Sequence, residues 1–393
     1  MQYRTNPKNG QQLSALGYGC MRFTRKGGAV DQEKANRELK RALELGVNYF
    51  DTAYVYPGCE AALGSFIETY QCRDRINIAT KLPQYRVKRA SDFDSYFDEE
   101  LKRLRTDHID YYLMHMMNDA ASWQRLCDLG IREWIQAKKA SGAIRNIGFS
   151  FHGGTQQFKA LIDAWDWDFC QIQYNYMDEH SQAGTEGLRY AHAKGLPVII
   201  MEPLRGGKLV NGLSKAARRE FEQAQPRRSP ADWGLRWVWN HPEVTVVLSG
   251  MNDLSQVEEN CRIASESLPD ALTAEALGLY DRVLKAIRAT MKVGCTGCGY
   301  CQPCPRGVDI PTCFAAYNAS YADGYVNALR EYMMCTTLRR VRSNAGLCVK
   351  CGKCEQHCPQ HLPIREALDG VKKRLETPIY KVAAKCAPLI LKY

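Results

Sequence analysis

Eight cysteines near the C-terminal end of this 393-residue chain are spaced for inorganic iron and sulfur. Cys295, Cys298, Cys301 and Cys304 precede Pro305, and Cys348, Cys351, Cys354 and Cys358 precede Pro359. In a Cys-x2-Cys-x2-Cys run closed by Cys-Pro, three thiolates wrap one [4Fe–4S] cluster and the fourth reaches a neighbouring one. Two runs therefore imply two clusters. The crossing assigns Cys295, Cys298, Cys301 and Cys358 to one, and Cys348, Cys351, Cys354 and Cys304 to the other. The first run departs from the pattern only in having two residues, not three, before its last cysteine. Zinc also takes Cys-x2-Cys pairs, but it normally uses two pairs per ion and has no need of Cys-Pro, so the spacing favours clusters. Cys313 and Cys335 lie between the runs, as reserve ligands or small buried side chains.

The elements upstream are of another kind. From residue 13 to about 250, short β-type runs alternate with amphipathic helical stretches. Strands are expected at Gly17–Met21, Gly46–Asp51, Ile76–Lys81, Ile109–His115, Ile144–Phe149, Phe169–Tyr174, Pro197–Met201 and Val244–Ser249. Helices are expected between them, such as Glu33–Leu45 and Asp92–Leu104 with Ser91 as N-cap. Eight βα units predict a closed (β/α)8 barrel, with an open doubly wound sheet as the alternative. No Gly-x-Gly-x-x-Gly follows the first strand, which counts against the open sheet. The expected division is a barrel over 1–268, a bridging helix over 269–290, a mostly helical cysteine domain over 291–376, and a tail over 377–393 that packs back on the barrel. Within the cysteine domain, residues 311–342 read as two helices interrupted near Asp323-Gly324.

Composition narrows the setting. The chain is 45% hydrophobic and 24% charged, with a net charge of +10 and seventeen cysteines. The basic residues are dispersed, which excludes a nucleic-acid stripe, and no apolar run reaches the ~20 residues that span a bilayer. The polar N-terminus lacks a signal-peptide core, so a reducing cytoplasm is expected.

In such a barrel, chemistry sits at the C-terminal strand ends. Asp51 ends the second expected strand, Lys81 the third and His115 the fourth, and Tyr56 follows Asp51 by five residues. Singly, these read as a helix cap, a solvated strand end and a satisfied polar histidine; at three successive strand ends they read as a site. Asp51, Tyr56, Lys81 and His115 resemble, in order and spacing, the catalytic tetrad of the aldo-keto reductase superfamily. Leu16–Met21, Ile147–Ser150, Gln171–Asn175, Met201–Gly207, Ser249-Gly250 and Val257–Asn260 resemble further family segments, so the resemblance covers about 15–265. The cysteine extension is similar to that of a subgroup with a ferredoxin-type C-terminal domain.

The resemblance implies an NAD(P)H-dependent oxidoreductase that interconverts a carbonyl and an alcohol. Tyr56 would donate the proton. A phenol has a pKa near ~10, and an adjacent ammonium brings it closer to working pH; Lys81 would supply that charge, Asp51 would fix Lys81, and His115 would orient the substrate oxygen. Ser150 and Gln171 would hold the nicotinamide carboxamide, Met201 the ring, and Leu204, Gly206 and Gly207 the pyrophosphate. Gly250, Gln256, Glu259 and Asn260 would form the last cofactor-binding segment, with Glu259 and Asn260 at the adenine. Residues 250–256 lack the Lys and Arg that relatives place against a 2′-phosphate, so NADH and NADPH both stay open unless Arg205, Lys208 or the extension supplies the charge. Expected partners are a small carbonyl or alcohol and a one-electron carrier such as ferredoxin or flavodoxin. The competing reading is an electron-transfer or redox-sensing protein whose barrel binds nucleotide without reducing carbonyls.

Overall fold

Eight parallel strands close into a barrel whose spatial order follows chain order. They are β1 (Leu16–Gly19), β2 (Tyr49–Asp51), β3 (Asn77–Leu82), β4 (Ile109–Met117), β5 (Ile144–Phe151), β6 (Phe169–Gln173), β7 (Val198–Met201) and β8 (Val244–Ser249). The expected closed barrel is thus the architecture of this computed structural model, which describes residues 1–322, 324–338, 341–382 and 384. The tail beyond 384, with Cys386, lies outside the described residues, as does Asp323. β2 starts later than expected because Gly46 takes a left-handed φ of 94° and turns the chain.

Side chains alternate across each strand, so residues two apart share a face. Tyr49, Ala79, Tyr111, Leu113, Phe169, Ile199, Val246 and Leu248 form one buried cluster with Leu13 inside the barrel. One step further along the same inner face come Asp51, Lys81, His115, Gln171 and Met201. A hairpin of Tyr3–Thr5 and Gln12–Ser14 closes the opposite end. There Asn6 Nδ2 donates to the Tyr111 hydroxyl at 3.2 Å, and that hydroxyl donates to Gln11 Oε1 at 2.7 Å. The apolar plug below and the polar ring above follow from one period-2 pattern.

The helices carry apolar stripes on the barrel side. Helix Gln32–Glu44 buries Ala35, Leu39, Ala42 and Leu43, and Asp31 caps it by accepting from the Lys34 N–H. Ser91 is the first residue of its helix rather than the cap; Ala90 holds the cap position, and Asp92 reaches back to the N–H groups of Lys88 and Arg89.

The chain divides into two compact units, Met1–Leu204 with Ala231–Thr273, and Arg205–Pro230 with Ala274–Tyr393. In the second, helices Ile310–Ala322, Tyr325–Tyr332 and Ile364–Leu375 gather around Val308, Phe314, Tyr332, Leu368, Val371 and Leu375. Gly324, at φ 104°, separates the first two, as the sequence suggested. Tyr380 is buried in this core, its hydroxyl 2.7 Å from Thr337 Oγ1. Among the described residues no helix is long and apolar enough to cross a membrane.

Helices Cys59–Tyr70 and Ser91–Leu104 approach at Gly64, where an added Cβ would lie 2.3 Å from the Arg103 carbonyl oxygen. Alanine in a helix interior is worth about 1 kcal/mol over glycine, yet overpacking costs about 1–3 kcal/mol. The clash wins, so Gly64→Ala is expected to lower the urea midpoint followed by circular dichroism; an equal or higher midpoint would contradict this packing.

Candidate active site and metal centres

The inner-face polar residues converge at the C-terminal ends of β2, β3, β4 and β6. Lys81 Nζ donates to Asp51 Oδ1 at 2.6 Å and to the Thr52 carbonyl at 2.6 Å, with the two side chains only 1% and 7% exposed. Gln171 Nε2 donates to the other Asp51 oxygen at 2.9 Å. Lys81 Nζ sits 5.3 Å from the centroid of the Tyr56 ring, and the His115 ring meets the Tyr56 ring edge-on at 5.9 Å. All four tetrad residues named from the sequence are brought together, and Gln171 joins them through Asp51. Removing one member of such a buried pair costs about 3–5 kcal/mol, because the other charge is left uncompensated. Tyr56 is delivered by a turn in which its N–H binds the Ala53 carbonyl, just ahead of Gly58 at φ 74° and helix Cys59–Tyr70.

Burial pushes the His115 imidazole well below its ordinary range, helped by the charges of Lys81, His152 and Arg86. His115 is therefore neutral at neutral pH. It can hydrogen-bond a carbonyl oxygen without adding a second cation beside Lys81.

The Ser150 hydroxyl accepts from the Met116 N–H at 2.9 Å. Met116 is left-handed, φ 57°, where the register of β4 against β5 shifts. Met201 is partly buried against the inner core. Beyond Leu204, Arg205, Gly206 and Gly207 take successive φ values of 48°, 63° and 88°, a left-handed turn that glycine at 206 and 207 adopts without steric cost. In the last segment, Gly250 is exposed, Gln256 Oε1 accepts from the Asn252 N–H at 3.1 Å, and Asn260 is buried with its amide on Ser249 Oγ at 3.1 Å. Glu259 beside it is partly buried.

One residue escaped the sequence reading. A Cβ at position 250 would lie 3.1 Å from Arg22 Cδ, so glycine there leaves room for the Arg22 stem and puts an exposed cation beside segment 250–256, whose one charged residue is Asp253. Only barrel closure, which pairs β8 with β1, brings residue 22 to residue 250.

The eight motif cysteines line two hollows. One is bounded by Cys295, Cys298, Cys301 and Cys358 with Ile310, Phe314, Leu362 and Ile364. The other is bounded by Cys304, Cys348, Cys351 and Cys354 with Ile310 and Leu368. Cys313 and Cys335 line neither. Burial, then Cys298, Cys295 and Cys358, push the Cys301 thiol up to about 12, so four thiolates share this hollow only around a cationic core. Among the described residues no three His, Cys, Asp or Glu converge closely enough for a single metal ion. Each set rings a space, and the donor set suits a four-iron cluster.

The acid sensitivity of the barrel follows from His115. An unfolded histidine titrates near ~6.5, whereas the folded one does so lower. Between those values the unfolded chain holds a proton the folded chain lacks, so stability contributed by neutral His115 is complete above pH ~6.5 and is lost as pH falls below it. His115→Asn is expected to flatten the decline of the urea midpoint between pH 7 and 5.5; an unchanged slope would count against a buried neutral imidazole.

Comparison with known proteins agrees with both halves of the chain. A model of the aldo/keto reductase family matches residues 15–276, and a 4Fe-4S dicluster domain matches 294–362. Uncharacterized oxidoreductase YrpG of Bacillus subtilis is 27% identical over 68% of this chain and 92% of its own. L-galactose dehydrogenase of Arabidopsis thaliana is 26% identical over 74% and 95%. Among solved structures, the holo form of aldo-keto reductase AKR11C1 from Bacillus halodurans is 26% identical, with a TM-score of 0.61 over 73% of this chain and 97% of that one. An aldo-keto reductase from Klebsiella pneumoniae in complex with NADPH, 23% identical with a TM-score of 0.59, covers 72% of this chain and 95% of its own and shares the fold. The chain therefore belongs to the aldo/keto reductase family, as an NAD(P)-dependent oxidoreductase whose barrel is joined to a 4Fe-4S dicluster domain.

Proposed function

We propose that this protein interconverts a small carbonyl compound and its alcohol using NADPH or NADH, with Tyr56 as acid and base, and that it carries two [4Fe–4S] clusters in the crossed cysteine sets. The observation that carries the first part is the Lys81 ammonium, fixed by Asp51 and Thr52 with its charge 5.3 Å from the Tyr56 ring. A cation held there stabilises the anion left when Tyr56 gives its proton to a carbonyl oxygen. Neutral His115 orients that oxygen. In the reverse direction Tyr56 takes the proton back from the alcohol.

The nicotinamide, when bound, supplies or accepts the hydride. Ser150 and Gln171 would hold its carboxamide and Met201 would lie against its ring. Leu204, Gly206 and Gly207 would meet the pyrophosphate, while Gly250, Gln256, Glu259 and Asn260 would serve the adenine end. Arg22 beside Gly250 supports a phosphate in that region, as it provides the cation that 250–256 lack. The likeness to L-galactose dehydrogenase supports a small hydroxyl- or carbonyl-bearing substrate.

The clusters, when bound, exchange single electrons, and a carrier such as ferredoxin or flavodoxin is the proposed partner. Eight unoxidised thiolate ligands need a reducing compartment, the cytoplasm.

Tyr56→Phe is expected to cut aldehyde-dependent NAD(P)H oxidation by about 10²–10⁴-fold, the range for loss of a positioned proton donor; unchanged turnover would remove Tyr56 from its role. Anaerobically prepared protein is expected to hold about eight irons per chain. Cys304→Ser and Cys348→Ser should alter the same electron paramagnetic resonance signal. If Cys304→Ser instead behaves like Cys295→Ser, the crossing is wrong.

A further inference from the structure

Among the matched positions at which the two cysteine runs differ is the residue directly after the first cysteine. It is Thr296 in the first run and Val349 in the second. Val349 is 57% exposed and Thr296 only 2%. Thr296 Oγ1 is fully buried and has no hydrogen-bond partner among the described residues. The residue lines the hollow of Cys295, Cys298, Cys301 and Cys358.

Leaving a buried hydroxyl unsatisfied costs about 1–3 kcal/mol. Valine has nearly the same shape, and the second run uses it. The hollow's walls are apolar at Ile310, Phe314, Leu362 and Ile364, and Gln360, which also lines it, does not bond this hydroxyl, so the sulfur atoms of the bound group are the acceptors that would satisfy it. The chain on the other side of Cys295 is also pinned: Arg205, 5% exposed, donates through Nη2 to the Gly294 carbonyl at 2.8 Å. The backbone leading to Thr296 is thus held just before the first ligand.

We propose that Thr296 donates a hydrogen bond to a sulfur of the [4Fe–4S] cluster held by Cys295, Cys298, Cys301 and Cys358, and that this bond raises the reduction potential of that cluster alone. The inference rests on the crossed assignment above. Adding one electron increases the negative charge on the cluster's sulfurs, which strengthens a hydrogen bond to them and favours the reduced form. No proton is transferred. The second cluster has no counterpart to this bond, because Val349 has no donor. Thr296 is a positioning and tuning residue and touches neither hydride nor substrate.

The test is a redox titration of the iron-loaded full chain, followed by electron paramagnetic resonance, in wild type, Thr296→Val and Thr296→Ser. In Thr296→Val one of the two midpoints should move to more negative potential, by about the 59 mV that corresponds to a tenfold change in the one-electron ratio. The other midpoint should stay, and Thr296→Ser, which keeps the hydroxyl, should remain near wild type. Midpoints that are both unchanged, or that move together, would overturn the proposal while leaving the cluster assignment intact. Wild-type protein without cluster iron would overturn both. Should Thr296→Val load poorly, Thr296→Ala against Thr296→Ser makes the same comparison; iron lost from all three variants would show that shape, not the hydroxyl, matters there.

Discussion

The chemistry proposed for the barrel depends on one buried ion pair. Lys81 and Asp51 face each other across neighbouring strands at 2.6 Å with almost no solvent access. Two isolated charges there would be prohibitively costly; as a pair, with Thr52 and Gln171 completing their hydrogen bonds, they are tolerable and rigid. The pair's net charge is near zero, yet its ammonium end is the one beside the Tyr56 ring. That polarity is what a proton donor to a carbonyl needs. The same inner-face alternation that builds the apolar plug under the site also sets the pair's register, so a one-residue slip of β2 or β3 would turn Asp51 or Lys81 out of the barrel.

The second unit meets an analogous problem with different means. It brings four thiols to each of two hollows, and burial with mutual repulsion keeps a thiol such as Cys301 protonated when no metal is present. Binding a cationic inorganic core converts that repulsion into coordination, so cluster loading and the stability of this unit are linked. Ile310 lines both hollows, so its apolar side chain borders both cysteine sets.

Much of this was legible in the residues. The strand runs are short, apolar and bounded by turn signals, so the barrel could be read from pattern, and Asp51, Lys81 and His115 stand at the strand ends, so the candidate site could be named from position together with the family resemblance. The Cys-Pro spacing suggests the proposed crossing of Cys304 and Cys358, and each of them lines the hollow of the other run's three cysteines. What escaped reading depends on contacts distant in sequence. Gln171 binds Asp51 across 120 residues, and Arg22 reaches Gly250 only because the barrel closes. Ser91 was misjudged as a cap because Asp92, one residue later, performs the reach-back with a carboxylate. That Arg205–Pro230 groups with the cysteine segment rather than with the barrel leaves no trace in local pattern, since helix Lys215–Gln223 has an ordinary amphipathic sequence.

The central claim is that Asp51 acts through Lys81, and Lys81 on Tyr56, as one unit. A double-mutant cycle on kcat/KM for NADPH-dependent reduction of a small aldehyde, with Asp51→Asn, Lys81→Met and the double variant, tests it most directly. The expected result is strong non-additivity, with the double variant no worse than Lys81→Met alone. Losses that simply add would mean that the two residues contribute independently, and would contradict this account of the site.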